Sequence, residues 1–440
     1  MPAASEMFLR ASERFLTRRQ PGRALALLAR TSVPIFAPDW IAAREPEPGL
    51  ADPSISPLLA PVDAAPAAGA VATGVLAGDA VVVKDAIDIA GTRTGLGLRD
   101  GGDLAERDAT IVARIRAAGG WIAGKTKMTE LGTDGVGALM PYPMPRNPRA
   151  PGYFPGGSSS GTAVAVAAGL ARYGLGSDGL GSVRIPAAFC GLVGLKPTHG
   201  RLPADGYKSP VETLDVVGPL ARTVDDCARL WHVMAGEPDT TLDPLVPPRV
   251  GIVRQLSPSR ASRAIQAAFD RVLDTLAITR ETVDIPGADR CTFLGGLLGA
   301  TELVRSPYAN RELSPAGRMN VALGRSFSPR DIAALHAQRA ALRDATARAL
   351  ERTPILAMPT TAIPPPALSR ALLAGDQDLM LLRALGAFTP LANLTGLPSI
   401  AVPCGTDDRG RPLSIMFVAP HGAETDLLRI ARAVEHTISG

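Results

Sequence analysis

Two serines that directly follow glycines are the side chains in this sequence best suited to chemistry. Ser158 and Ser182 lie within the stretch from Gly156 to Gly200, which is dense in glycine and in hydroxyl side chains. Glycine allows backbone N–H groups to approach a reacting atom closely, and serine hydroxyls act as nucleophiles or pass protons. The stretch contains no acid–histidine pair, so a serine nucleophile here needs its base from elsewhere.

Histidine and lysine are the candidate bases. Of the five histidines, only His199 lies near the stretch, and a lone histidine after the K-P-T turn is more often structural or solvated. Lys84 ends the apolar run Val81–Val83, where burial would lower its pKa and favour the uncharged amine. A lysine at the end of a strand is by itself more often exposed, so the sequence pattern alone leaves the base open.

The elements around the serines indicate an α/β protein. The small residues from Thr162 to Ala171 predict a helix, and residues 173–178 predict a strand, so the chain can bring the two serines together. Strands and helices alternate from 80 to 235, and further strands are predicted at 249–254, at 354–359 and towards the C-terminus. We therefore expect a large mixed, mostly parallel central β-sheet covered by helices on both faces.

The length of 440 residues and the even composition favour a single domain over residues 1–440. Helical patterns at 5–19 and 22–30 predict an N-terminal helical arm over residues 1–45. Residues 285–385 are expected to form a less regular helical flap over the site. Pro329 is predicted to open the longest helix, and Thr223 to cap another.

The bulk composition excludes several classes of function. The net charge of +4 is spread along the chain, which argues against a nucleic-acid-binding face. There is no apolar run of about 18 residues and no signal-peptide pattern, so we expect a cytoplasmic protein that is not in the membrane. The four cysteines are widely separated and are predicted to be buried and reduced. Metal ligands do not cluster, so neither a metal nor another cofactor is implied.

Two short motifs match patterns from other enzyme classes. Residues 157–161 fit the G-x-S-x-G nucleophile elbow, but the preceding P-R-A-P-G-Y-F-P-G cannot be the central strand that this elbow requires. Residues 174–179 fit G-x-G-x-x-G, but they follow a predicted helix and open none. We therefore assign neither motif to its usual function.

Three motifs in order resemble the amidase signature family of serine hydrolases. They are G-G-S-S at 156–159, G-S-V-R-I-P at 181–186 and the blocks F-C-G and G-L-K-P-T within 189–198. V-V-V-K-D-A-I-D-I-A-G, V-G-P-L-A-R-T-V-D-D and N-L-T-G-L-P-S-I-A-V-P-C-G are also similar to family blocks. The resemblance covers roughly residues 75–235 and 354–437.

The resemblance implies a Ser–cisSer–Lys mechanism. Uncharged Lys84 would take a proton from Ser158, which follows a cis peptide bond in this family. Ser158 would take one from Ser182, the nucleophile that forms an acyl-enzyme. The loop Gly179–Ser182 (Gly179, Leu180, Gly181, Ser182) would bind the oxyanion through backbone N–H groups.

Three further residues are expected to support the catalytic groups. Ser159 would steady the turn after Ser158, and Asp178 and Arg184 would pair and fix the nucleophile loop. Leu180 stands where the family usually has glycine, and leucine does not freely adopt a positive φ. Either this position has ordinary dihedral angles, or the pocket is reshaped and Leu180 lines the leaving-group side.

The resemblance implies an amidohydrolase for a small-molecule carboxamide, aryl amide or carbamate, with esters as side substrates. An alternative is the amidase-type subunit of a tRNA-dependent amidotransferase, which releases ammonia for a partner. A non-catalytic binding protein on the same fold is a third reading, disfavoured because Lys84, Ser158 and Ser182 are all present. A homodimer is compatible with the sequence.

Overall fold

The computed structural model describes residues 38–50, 54–66, 73–239, 242–376 and 378–439. The helices predicted at 5–19 and 22–30 lie outside these residues. The strands are β1 (Leu58–Pro61), β2 (Ala80–Lys84), β3 (Arg93–Thr94), β4 (Asp103–Leu104), β5 (Trp121–Thr126), β6 (Tyr173–Ser177), β7 (Val193–Lys196), β8 (Val217–Ala221), β9 (Arg249–Val253), β10 (Thr279–Val283), β11 (Leu356–Pro359), β12 (Ser399–Thr406) and β13 (Pro412–Val418).

Thirteen α-helices lie in the described residues, and short 3₁₀ turns connect several of them. They are α1 (Pro38–Ala42), α2 (Thr110–Ala117), α3 (Ser160–Ala167), α4 (Arg184–Cys190), α5 (Val224–Ala235), α6 (Arg263–Thr275), α7 (Cys291–Leu303), α8 (Pro315–Arg325), α9 (Pro329–Arg352), α10 (Arg370–Leu373), α11 (Leu379–Leu385), α12 (Pro390–Thr395) and α13 (Glu424–Ser439). Pro329 opens the 24-residue α9, and the Thr223 side chain accepts a hydrogen bond at the start of α5, as predicted.

One sheet of 11 strands runs through the described residues in the order β1-β5-β2-β6-β8-β7-β12-β13-β11-β9-β10. This confirms the predicted large mixed sheet. Parallel pairing does not dominate it, however: only β2–β5, β2–β6, β9–β10 and β9–β11 are parallel, and the other neighbours are antiparallel. The short connection 407–411 makes β12 and β13 antiparallel, because a parallel pair needs a much longer crossover.

Helices cover both faces of this sheet. Successive side chains of a strand point to opposite faces, and β2 shows the result directly. Val81 and Val83 pack with residues of α2 and α5, whereas Val82 packs with residues of α3 and α4. Lys84 follows Val82 by two positions, so its side chain lies on the face covered by α3.

The helix between the two serines is shorter than the sequence predicted. It covers Ser160–Ala167, with Ala168 at its C-cap, because Gly169 takes a φ of +77° that ends the helix. Ser160 is the first helical residue, and the N-cap position belongs to Ser159. The start of α3 therefore lies directly after Ser158.

The region 285–385 contains the regular helices α7, α8 and α9. Leu294 and Leu298 of α7 and Leu335 of α9 are buried in the same hydrophobic cluster as Ile415 and Phe417 of β13. α7 and α9 are therefore packed into the main core, and the buried Val321 of α8 belongs to a separate, smaller cluster.

Candidate active site

Lys84 is buried at the carboxyl end of β2, with no exposed surface. Its Nζ lies 2.7 Å from Ser158 Oγ, 2.9 Å from Ser177 Oγ and 3.4 Å from the Ser177 carbonyl. β6 runs parallel to β2, so Ser177 also lies at a carboxyl end, next to Lys84. The carboxyl ends of neighbouring parallel strands thus bring these groups together.

The pKa of Lys84 is lowered to about 8. Burial is the main cause, because it disfavours the charged ammonium, and the carboxylates of Asp215 and Asp178 oppose it by favouring the charge. A lysine with this pKa is partly uncharged near neutral pH, and only the uncharged amine accepts a proton.

Ser158 is buried in the turn that leads into α3. The Gly157–Ser158 peptide bond is cis, as the resemblance implied. The Ser158 carbonyl accepts a hydrogen bond from Thr129 N–H at 3.4 Å, and the amide of Gly157 donates to the Gly135 carbonyl at 2.9 Å. Backbone contacts to loop 129–135 thus fix the position of this turn.

Ser182 is half-buried and lies just before α4. Its carbonyl accepts a hydrogen bond from the Ser159 amide at 3.3 Å, so the turn after Ser158 contacts the loop 179–182. No hydrogen bond joins the hydroxyls of Ser158 and Ser182 among the contacts of the described residues. Hydrogen bonds between catalytic groups are often long without substrate and shorten when it binds.

Asp178 organises the loop from Gly179 to Val183. Its carboxylate accepts hydrogen bonds from the amides of Gly181 at 2.7 Å, Val183 at 3.1 Å and Arg184 at 3.3 Å. It also forms a fully buried ion pair with Arg184 at 2.8 Å. Burial disfavours the Asp178 carboxylate, but the charge and hydrogen bonds of Arg184 outweigh it and hold the pKa of Asp178 well below its usual range.

Residues from the C-terminal part of the chain hold the same loop. The Asn393 side chain donates to the Asp178 carbonyl at 2.8 Å and accepts from Arg184 at 2.7 Å. Thr389 Oγ1 donates to the Leu180 carbonyl at 2.7 Å. Neither residue was predicted from the sequence. Asn393 lies within the N-L-T-G-L-P block, and this block could have marked it as a candidate. The block does not show that Asn393 contacts Asp178.

A family model described as Amidase matches residues 59–289 and 305–428, which is most of the sequence. The chain belongs to the amidase family. It is thus an amidase-family enzyme, a hydrolase acting on C–N bonds. The match includes the segments that supply Lys84, Ser158 and Ser182.

The relatives of this amidase-family chain carry the names of different enzymes. A fatty acid amide hydrolase of Medicago truncatula is 31% identical over 75% of the chain, which spans 59% of that relative's length. One subunit of the glutamyl-tRNA(Gln) amidotransferase of Thermus thermophilus is 34% identical, over 82% of the chain and 84% of the relative. The structure of 6-aminohexanoate cyclic dimer hydrolase superimposes with a TM-score of 0.75, at 27% identity, covering 84% of this chain and 86% of that one.

The amidase's loop Gly179–Ser182 offers fewer free donors than its sequence suggested. Gly181 N–H already donates to Asp178, whereas the amides of Gly179, Leu180 and Ser182 have no acceptor in the described part of the chain. Leu180 has an ordinary φ, and it is Gly181 that takes a φ of +129°. Of the two alternatives for Leu180, the backbone therefore agrees with the first, in which this position has ordinary dihedral angles.

The Leu180 side chain packs against α7. A Cβ atom added to Gly295 would lie 2.5 Å from Leu180 Cδ2, so this leucine fits only because α7 has a glycine there. Leu180 is half-buried and closes the side of the nucleophile loop that faces α7.

The remaining expected groups have clear positions. Ser159 Oγ hydrogen-bonds both the carbonyl and the amide of Ser177 at 3.3 Å, which joins the turn to β6. His199 is exposed, and its Nε2 lies 2.9 Å from the Glu212 carbonyl. The four cysteines are buried and free. Among the described residues, no His, Cys, Asp and Glu side chains form a group that could hold a metal ion, and no helix is long and apolar enough to cross a membrane.

A small pocket lies between loop 134–139 and the helices α10 and α11. Its lining combines apolar side chains with carboxylates: Val136, Ala138, Leu139, Leu372, Leu382, Asp134, Asp376 and Asp378. The Asp134 carboxylate accepts hydrogen bonds from three backbone N–H groups of its own loop, which fixes this side of the pocket.

Proposed function

We propose that this chain hydrolyses the C–N bond of a small carboxamide, aryl amide or carbamate through an acyl-enzyme on Ser182, with esters as side substrates. The observation that carries the proposal is the buried Lys84 amine in hydrogen-bond contact with Ser158. A serine needs a base within reach to act as a nucleophile near neutral pH, and a lysine with a lowered pKa supplies one.

The reaction begins with proton transfers along the two serines. The uncharged Lys84 amine takes the Ser158 proton while Ser158 takes the Ser182 proton, and Ser182 Oγ attacks the carbonyl carbon. The tetrahedral intermediate collapses as the proton returns through Ser158 to the leaving nitrogen. Water then attacks the acyl-enzyme and gives up a proton along the same path; this proton returns through Ser158 to Ser182 Oγ as the acid is released.

The developing oxyanion requires donors that are already in position. We propose the amides of Gly179, Leu180 and Ser182 for this role, because Gly181 N–H is held by Asp178. Asp178 and Arg184 keep the loop in shape, and Ser159 keeps the Ser158 turn against Ser182.

We propose a small-molecule substrate that reaches the site beside loop 134–139. The pocket beside this loop has both apolar side chains and carboxylates in its lining. The four buried free thiols fit a reducing compartment such as the cytoplasm. Whether the enzyme works as a homodimer is a question for size-exclusion chromatography with light scattering.

A second candidate function is the ammonia-releasing subunit of a tRNA-dependent amidotransferase. Relatives named as one subunit of glutamyl-tRNA(Gln) amidotransferase favour it, because this chain covers most of their length. Hydrolysis of simple amides by the purified chain alone supports our first proposal. Activity on glutamine that requires an added partner supports the second.

The test of the mechanism is covalent labelling of Ser182. The wild-type protein should form one adduct with an alkyl fluorophosphonate, located on Ser182 by mass spectrometry, and should hydrolyse members of an amide, carbamate and ester panel. Ser182→Ala should lose both the adduct and turnover.

Ser160→Ala is the matched control, because the buried Ser160 hydroxyl has no hydrogen-bond partner in the described residues. It should keep the adduct and the activity. An adduct on another residue, or undiminished turnover by Ser182→Ala, would overturn the proposal.

A further inference from the structure

The three contacts of Lys84 Nζ match the two N–H groups and the lone pair of an uncharged amine. Such an amine has two N–H groups and one lone pair. Its three contacts are Ser158 Oγ, Ser177 Oγ and the Ser177 carbonyl. The carbonyl can only accept, so one N–H belongs to it. When Ser177 Oγ accepts the other, the lone pair faces the Ser158 hydroxyl, which is the orientation that proton transfer needs.

Two further polar groups are buried behind Ser177. Tyr207 forms a β-bridge with Ile87, three residues after Lys84, and Asp215 lies two residues before Val217, which pairs with Ser177 in the sheet. In the described residues, neither the Tyr207 hydroxyl nor Asp215 Oδ1 makes a hydrogen bond of normal geometry, although both atoms are buried. Asp215 Oδ2 accepts a hydrogen bond from Ser209 at 3.0 Å. Unpaired buried polar atoms are costly, so their retention beside the base needs a reason.

Asp215 differs from the other carboxylate near Lys84. Asp178 is neutralised by its ion pair with Arg184, whereas Asp215 has no salt bridge among the described residues. Burial raises the pKa of Asp215, and the charge of Lys84 opposes this. The remaining charged group of this cluster is Lys196, and burial lowers its pKa to about 7. The carboxylates of Asp178, Asp215 and Glu424 oppose this by raising the Lys196 pKa.

We propose that Asp215 and Tyr207 are positioning residues that control the protonation of Lys84 through Ser177. This rests on the proposed role of Lys84 as the base. The ionised Asp215 carboxylate favours the lysine proton, and Tyr207 stabilises that carboxylate. Ser177 links the pair to Lys84 and orients its lone pair towards Ser158.

The test is the pH dependence of kcat/KM in Asp215→Asn. This substitution keeps the shape of the side chain and removes its negative charge. The midpoint of the acid limb should therefore move to lower pH, by about 1 unit or more, while activity on the alkaline plateau persists. Tyr207→Phe should move it in the same direction by less, because it removes a buried polar group that favours the ionised form of Asp215.

Asp226→Asn is the matched control. Asp226 is also largely buried, but it pairs with Arg172 and does not act on Lys84. Its midpoint should stay at the wild-type value. An unchanged midpoint in Asp215→Asn, with activity lost equally at every pH, would show a purely structural role and overturn the inference, as would a shift to higher pH.

A second measurement keeps the inference testable if Asp215→Asn does not fold. The Lys84 side chain can be titrated by NMR with labelled lysine in Ser182→Ala, with and without Tyr207→Phe. A lower Lys84 pKa in the double variant supports the inference, and an identical pKa overturns it. Fluorophosphonate labelling of wild-type Ser182 tests the proposed function separately, so either idea can fail without the other.

Discussion

At the scale of single residues, the environment of Lys84 determines what the proposed site can do. Burial alone lowers its pKa, and two carboxylates limit the decrease, so that the value is about 8 and not lower. The balance leaves a base that is partly available at neutral pH and still basic enough to take a proton from serine.

This balance predicts the pH profile of the wild-type enzyme. Because the uncharged amine is the reactive form, kcat/KM should rise about tenfold per pH unit at low pH and level off above a midpoint near pH 8. Initial rates with one aryl amide across this range measure it.

His199→Ala is the control for the pH profile. It should leave the midpoint unchanged, since the imidazole is exposed and hydrogen-bonds the Glu212 carbonyl. A midpoint near the ordinary histidine pKa of about 6.5 that disappears in His199→Ala would contradict the assignment of the base.

The sequence points to candidate residues that lie in motifs and gives no sign of those that the fold brings in from elsewhere. Lys84, Ser158 and Ser182 were predicted because each lies in a recognisable block. Asp215 and Tyr207 lie in an irregular segment between β7 and β8, with no local pattern to mark them. Their distance from Lys84 depends on how that segment crosses the carboxyl ends of β2 and β6.

At the scale of elements, the loop 179–182 that carries the proposed nucleophile depends on one backbone conformation. Gly181 takes a φ of +129°, which side-chain-bearing residues rarely adopt. An added Cβ would meet Thr389 Oγ1 and lie 2.8 Å from Ile185 Cδ1. The glycine is therefore needed both for its dihedral angles and for the space.

Gly181→Ala should consequently reduce kcat by at least about 10²-fold, the usual effect of losing an oxyanion donor, because the loop must move. It should also lower the melting temperature. Gly179→Ala is the control for stability, since Gly179 has no positive φ and its nearest neighbours lie at ordinary contact distances of 3.4 Å and beyond. Equal melting temperatures for the two variants would contradict this reading of the loop.

Element boundaries and strand directions were harder to predict from the sequence than the elements themselves. The Ala- and Val-rich pattern located α3 but not its end, which Gly169 sets through its φ. The apolar pattern located the strands, but parallel and antiparallel strands in a covered sheet have similar patterns. The excess of antiparallel pairs is therefore visible only in the structure.

At the scale of the whole molecule, one buried guanidinium joins distant parts of the chain. Arg184 lies just after the nucleophile loop and contacts the Thr389 carbonyl, Asn393 and Ser399 Oγ. We propose that residues 38–439 fold as one unit for this reason, together with the continuous sheet.

Arg184→Met tests this proposal. It leaves Asp178 buried without its ion-pair partner and should lower the free energy of unfolding by about 3–5 kcal/mol. Denaturant unfolding followed by fluorescence and by circular dichroism should still give one coincident transition. Arg172→Met is the control: its ion pairs are partly exposed and should contribute at most about 1 kcal/mol. Two separate transitions would contradict the single unit.

The reach of Arg184 also has a consequence for biosynthesis. Ser182 leaves the ribosome more than two hundred residues before Thr389, Asn393 and Ser399. Until those later residues emerge, the Arg184 guanidinium lacks three of its partners, and the loop 179–182 lacks the hydrogen bond from Thr389. The three proposed reactive side chains are therefore synthesised well before residues 389–399, and we expect the nascent chain to stay inactive until those residues have folded onto Arg184.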